Sequence, residues 1–157
     1  MTRRPLLALL CTLGLAPKVS SAQAPAPQIE PLRLADAEWK KRLSADAYAV
    51  LRQEGTERAG TSPLDHEKRK GTFRCAGCEL ALFSSDTKFD SGTGWPSFFT
   101  SLPGAVVTKT DFKLIVPRTE YHCARCEGHQ GHVFDDGPKP TGKRYCNNGV
   151  ALKFVPA

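Results

Sequence analysis

Two short cysteine pairs limit how this chain can fold more than any other feature. Cys75-Ala76-Gly77-Cys78 and Cys123-Ala124-Arg125-Cys126 share one spacing, and each follows a strand-like run, Gly71 to Arg74 and Tyr121-His122. A two-residue gap lets both thiolates of a turn converge on one ion, and two such turns make a tetrahedral four-cysteine site suited to Zn2+. Four thiolates leave no open coordination position, so the expected role of the ion is structural: it ties together distant parts of the chain. Two other readings stay open, disulfides among these cysteines in an exported chain and a redox dithiol from a single CxxC.

A chain of 157 residues with 40% hydrophobic content fits one soluble domain once a leader is set aside. Residues 1–22 read as a secretory signal peptide: Arg3 and Arg4 make a basic start, Leu6 to Leu15 an apolar run too short for an anchor, and Ser20-Ser21-Ala22 a small-residue cleavage site. Thr2-Arg3-Arg4-Pro5-Leu6-Leu7 also resembles a twin-arginine signal, and the expected location is the bacterial periplasm. An uncleaved membrane tether is the alternative, and Cys11, preceded by Leu10, leaves with the leader. Without Arg3, Arg4 and Lys18 the Lys+Arg count falls from 22 to 19 against 16 Asp+Glu, so +6 becomes +3. That excess is too mild to argue for nucleic acid as a partner.

Pro25, Pro27 and Pro31 mark residues 23–34 as a flexible linker, leaving 35–157 as the domain. Leu34 to Leu43 and Ala45 to Arg52 are predicted helical, with Ser44 as cap of the second and Gly55 as its stop. Trp39, Leu43, Tyr48 and Leu51 form the expected packing face. From residue 71 onward short strands are punctuated by glycine and proline. Phe112 to Val116 is the strongest β run, with Val106 to Lys109 and Val150 to Val155 weaker ones. The fold class is therefore mainly antiparallel β preceded by two short helices, with no repeat beyond the doubled knuckle.

Cys146 is the one mature cysteine outside the knuckles. It sits in Arg144-Tyr145-Cys146-Asn147-Asn148, after the turn sequence Pro138 to Gly142. A lone cysteine is ordinarily an inert buried residue. Here Arg144 is placed to stabilise a thiolate, and His129 and His132, in a glycine-containing loop, are placed to supply protons.

Three blocks, Ser91 to Phe98 (containing Gly94-Trp95-Pro96-Ser97), His129 to Pro138, and Pro140 to Asn148, resemble the signature blocks of R-specific methionine sulfoxide reductases. The likeness runs from about Leu34 to Phe154 and includes Gly55-Thr56-Glu57 and both knuckles. It implies a fold of two twisted antiparallel sheets with helices on the N-terminal side. It also implies thiol-dependent reduction of methionine R-sulfoxide, in oxidised proteins or peptides, by attack of Cys146 on the sulfoxide sulfur. His129, His132, Asn148 and Arg144 match positions lining the family's active site. Trp95 matches the aromatic against the substrate methyl group, and Phe134 is read as pocket or core. Asp135 and Asp136 are read as shaping the turn. Thr93 stands where many members carry a second, resolving cysteine. A sulfenic acid on Cys146 is then expected to be cleared by a small thiol or a thioredoxin-like donor. The protein is expected to be a monomer that repairs oxidative damage. A zinc-ribbon binding module would explain the knuckles but not Trp95, the histidines or Cys146. A thiol exchange protein lacks its βαβ setting, and a zinc hydrolase would want an open metal site.

Overall fold

The computed structural model describes residues 29–113 and 115–157. The expected leader, 1–22, and residues 23–28 lie outside the described residues. Residues 29–34, expected as flexible linker, are instead docked: the Leu32 amide donates to the Arg125 carbonyl at 2.6 Å, and Leu32 and Leu34 pack against the core. Pro31 disfavours helix there without preventing two leucines from finding apolar partners.

Helix α1 spans Asp36–Arg42 and α2 spans Ala45–Gln53. The Ser44 hydroxyl accepts from the Ala47 amide at 3.2 Å, an N-cap contributing about 1 kcal/mol. The stop of α2 differs from expectation. Glu54, not Gly55, takes the left-handed conformation (φ 55°), and its carboxylate is held by Lys109 at 2.7 Å and by Lys113. Gly55 is needed for closeness, since a β-carbon there would press on the Ala49 carbonyl. Trp39 and Leu51 are buried as expected, joined by Ala47 and Val50, while Leu43 and Tyr48 are half-buried.

The strands are β1 (Gly71–Cys75), β2 (Ala81–Ser84), β3 (Lys88–Phe89), β4 (Ser97–Phe98), β5 (Val106–Asp111), β6 (Arg118–Cys123), β7 (His129–Phe134), β8 (Arg144–Asn147) and β9 (Leu152–Pro156). They form two antiparallel sheets, ordered β2-β1-β9 and β3-β4-β8-β7-β6-β5. Aromatic side chains join the sheets. Phe73 and Phe83 from the smaller sheet meet Phe98, Tyr121 and Tyr145 from the larger one, with Phe83 stacked on Phe98 at 4.2 Å and Phe73 edge-on to it at 4.9 Å. Such pairs add roughly 0.5–1.5 kcal/mol each beyond the area they bury.

Two strand expectations change. The described residues of the Phe112 to Val116 run are not in a strand: the ladder ends at Asp111 opposite Arg118, and Phe112, Ile115 and Val116 are exposed in the β5–β6 connection. The Asp111 carboxylate accepts from the Lys113 amide at 2.8 Å, a local bond that competes with continued pairing. The last strand begins at Leu152, because Gly149 to Ala151 form a 3-10 turn whose leading amides are taken by Glu57.

Candidate active site and cysteine cluster

Cys75 ends β1 of the smaller sheet and Cys123 ends β6 of the larger. Each opens a knuckle closed by the amide of a residue in left-handed conformation, Glu79 onto the Cys75 carbonyl and Glu127 onto the Cys123 carbonyl, both at 2.9 Å. The two turns bring four buried sulfurs into one cluster, with Cys75 to Cys126 at 3.6 Å and Cys78 to Cys123 at 3.4 Å. A disulfide needs about 2.05 Å, so these cysteines are unbridged. Tetrahedral bonds of about 2.3 Å put sulfurs about 3.8 Å apart, close to what is seen. The donor set and its burial fit a metal ion. Arg52 reaches across from α2 to the Cys126 carbonyl at 2.8 Å, and Trp39 and Leu51 lie against Gly77. The knuckles therefore fasten both sheets and both helices.

The second cluster is built on β8. Cys146 pairs with Ser97 on one side and His132 on the other. The histidines lie on strand β7, not in the expected loop. Gly131 between them permits this: it faces Asn147 in the ladder, and a β-carbon on it would overlap the Cys146 carbonyl. Cys146, His132, Asn148, Trp95 and Phe134 line one cleft of about 140 Å3, together with Thr56, Arg118, Gly131 and Asn147.

His132 and His129 separate here. The His132 Nε2 meets Asp111 Oδ2 at 2.8 Å, and Arg118 donates to the same oxygen at 2.6 Å. A carboxylate only accepts, so Nε2 carries a proton. The Lys113 amide foremost, with His132 and Arg118, holds Asp111 well below the usual carboxylate range. His129 is buried behind the cleft, with Nδ1 on Glu120 at 2.5 Å and its ring 5.6 Å from that of His132. Burial pushes its pKa down against the pull of Glu120, leaving the ring neutral.

Arg144 is buried with its guanidinium 4.3 Å over the Phe134 ring and bidentate to Asp136 at 2.8 and 2.8 Å. Asp136 thus does more than shape a turn, since it fixes the cation beside the thiol. Burial pushes the Cys146 thiol up, opposed by Arg144 and the hydroxyl of Thr93. Thr93 in turn shares hydrogen bonds with Ser91 at 2.8 Å, and Ser91 with Ser97 at 2.8 Å.

Asn148 is fixed at both amide atoms: Nδ2 donates to the Gln130 carbonyl and Oδ1 accepts from the Glu57 amide, each at 2.9 Å. Asn147 accepts from the buried Tyr121 hydroxyl at 2.6 Å. Glu57, Arg118, Asp111 and Asn147 escaped sequence reasoning as site residues. Glu57 carried a signal through Gly55-Thr56-Glu57, and Asn147 through the block Pro140 to Asn148; Asp111 and Arg118 carried none.

Glu57 clamps two segments to its own, one at Trp95 and one at 148–150. Its carbonyl accepts from Trp95 Nε1 at 3.1 Å, its amide reaches Asn148, and its carboxylate accepts from Gly149 and, at 3.0 Å, from Val150. Glu57→Ala is expected to cost about 1–3 kcal/mol by leaving buried amides unpaired, read as a lower urea midpoint. The Trp95 bond runs to the Glu57 backbone carbonyl and survives the substitution, so KM should change little. Glu57→Gln, which keeps one acceptor oxygen, should recover part of the lost stability; an unchanged midpoint in Glu57→Ala would contradict the clamp.

The SelR domain family matches residues 43–156. The chain belongs to this family. Peptide methionine sulfoxide reductase MsrB of Agrobacterium fabrum is 52% identical over 122 residues, covering 77% of this chain and 90% of that protein. The MsrB of Leptospira interrogans is 52% identical over 120 residues, covering 76% and 92%. Peptide methionine sulfoxide reductase B1 of Oryza sativa, a chloroplastic protein, is 53% identical over 122 residues; there the match covers 77% of this chain and 57% of the rice protein. The matched SelR region contains both knuckles and every residue of the cleft.

Proposed function

We propose that this SelR domain is an oxidoreductase that reduces methionine R-sulfoxide in oxidised peptides or proteins, with Cys146 as nucleophile. The carrying observation is that Cys146 and His132 face each other across β8 and β7 in a cleft whose wall is Trp95. The thiolate attacks the sulfoxide sulfur. A doubly protonated His132, held through Nε2 by Asp111, has an N–H left at Nδ1 for the oxygen on which charge develops. The oxygen passes to the cysteine sulfur: methionine leaves as the thioether and Cys146 becomes a sulfenic acid, oxidised by two electrons. Two equivalents of a small thiol or a thioredoxin-like dithiol then return the thiol, releasing water and a disulfide. The knuckle sulfurs sit in their own cluster and Thr93 offers a hydroxyl, which supports an external donor. Trp95, anchored by Glu57, fixes the substrate methyl on one side and so selects one epimer. His129 backs His132, and Arg144 stabilises charge at sulfur or oxygen.

The metal we assign is one structural Zn2+ held by Cys75, Cys78, Cys123 and Cys126, which would supply cross-linking and no chemistry. A metal-ribbon binding module accounts for those four thiols but leaves the Cys146 cleft without a role. The basic, apolar and small-residue order of residues 1–22 supports export to the periplasm.

With dithiothreitol as donor, turnover of a peptide methionine R-sulfoxide and none of its S epimer is expected; equal rates on both would overturn the reading. Because burial raises the thiol pKa above its ordinary 9.0, the thiolate is the minor form at neutral pH. Its share rises about tenfold per pH unit until that pKa is passed. Alkylation of Cys146 by iodoacetamide should therefore accelerate with pH throughout the range below about 9. Arg144→Met, removing the cation that opposes burial, should slow it further at pH 7. A rate that levels off below pH 8 would show a depressed thiol instead.

A further inference from the structure

The β5–β6 connection presents Phe112, Ile115 and Val116 at 74%, 103% and 70% exposure, a concentration of large apolar groups that solitary soluble surfaces avoid. Its base is fixed to the cleft. Asp111 binds the Lys113 amide, Arg118 and His132, and Arg118 itself lines the cleft. The Lys113 ammonium is drawn to Glu54 beside α2, and the Arg118 guanidinium to Asp111. Strand order β8-β7-β6-β5 and the pairing of Phe134 with Arg144 put the tip at the same end of the sheet as Phe134 and Arg118. Val116 is two residues from Arg118, at most about 7 Å along the chain.

We propose that this tip is a docking rim for the apolar polypeptide flanking the oxidised methionine, an inference resting on the reductase reading. A cleft of about 140 Å3 admits one side chain and leaves the rest of a substrate chain outside, across its rim. Methionine is a residue of protein interiors, so the groups packed around it are commonly apolar. Oxidation makes its side chain polar and disrupts the packing around it, which presents those neighbours together with the sulfoxide. The tip stands at the Phe134 and Arg118 end of the cleft and meets those neighbours with matching chemistry.

The test compares two nine-residue peptides with one central methionine R-sulfoxide, one flanked by Leu, Val and Phe and the other by Ser and Gly. They are assayed with the full chain and its Phe112→Ser/Ile115→Ser/Val116→Ser variant. The wild type is expected to favour the apolar peptide by about tenfold in kcat/KM, the scale that burying two or three such side chains supports. The variant should lose that preference while turning over the Ser/Gly peptide within about twofold of wild type. An equal fall on both peptides, or a preference that survives in the variant, overturns the proposal. So does sedimentation showing that the wild type dimerises through this tip and that the variant does not. A wild type active on the Ser/Gly peptide but without preference sinks the rim alone; one inactive on both peptides sinks the reductase reading too.

Discussion

Replacing Cys146 by serine is expected to lower kcat/KM for a methionine R-sulfoxide peptide by at least about a thousandfold. The substitution changes one atom and little volume, and Cys146 is only partly buried, so folding should be unaffected. Nucleophilicity is what changes. A serine hydroxyl is scarcely ionised near neutrality, whereas even a thiol raised by burial supplies some thiolate, and sulfur attacks sulfur far more readily than oxygen does. The ladder around the position is made by backbone groups, so Ser97, His132 and the Arg144–Asp136 pair should stay in place. The measurements are turnover with dithiothreitol, metal content and the thermal midpoint. Activity lost with metal and midpoint retained supports the nucleophile; retained turnover would move the chemistry elsewhere.

The largest effect on stability is expected from Cys78→Ser. Cys78 belongs to a cluster that joins β1 to β6, hence one sheet to the other, and carries α1 and α2 through Trp39, Leu51 and Arg52. Structural zinc sites of this kind hold their ion with about 10–16 kcal/mol in isolated zinc-finger peptides. A whole domain is stable by only about 5–15 kcal/mol. Weakening the site should therefore drop the midpoint by more than about 15 °C or leave the chain unfolded, and treatment of the wild type with a strong chelator should do the same. Circular dichroism and metal analysis read both. A Cys78→Ser protein that melts within a few degrees of wild type would show that the aromatic layer between the sheets suffices.

Some of this was legible residue by residue. Ser44 capped α2 as its side chain predicted, and each two-residue gap, a local geometry, paired its own two thiols so that Cys75, Cys78, Cys123 and Cys126 formed one cluster once the sheets met. The blocks holding Trp95, His132 and Cys146 pointed to one site before any fold was known. Phe112 to Val116 misled for a physical reason: β-branched and aromatic composition usually reports burial between partners, and here it builds an exposed tip where pairing has ended.

The sequence by itself determined the helix pair and the two cysteine knuckles, because capping and thiol spacing act over a few residues; the nucleophile role of Cys146 is what the resemblance implied and what we propose. Only the tertiary structure decided which histidine faces the thiol, that Asp111 and Arg118 hold it, that Asp136 fixes Arg144, and that Glu57 clamps Trp95 to the end of β8. Those roles depend on which backbone groups and charges meet across strands far apart in the chain. That is settled by register and by the close approach that Gly131 permits.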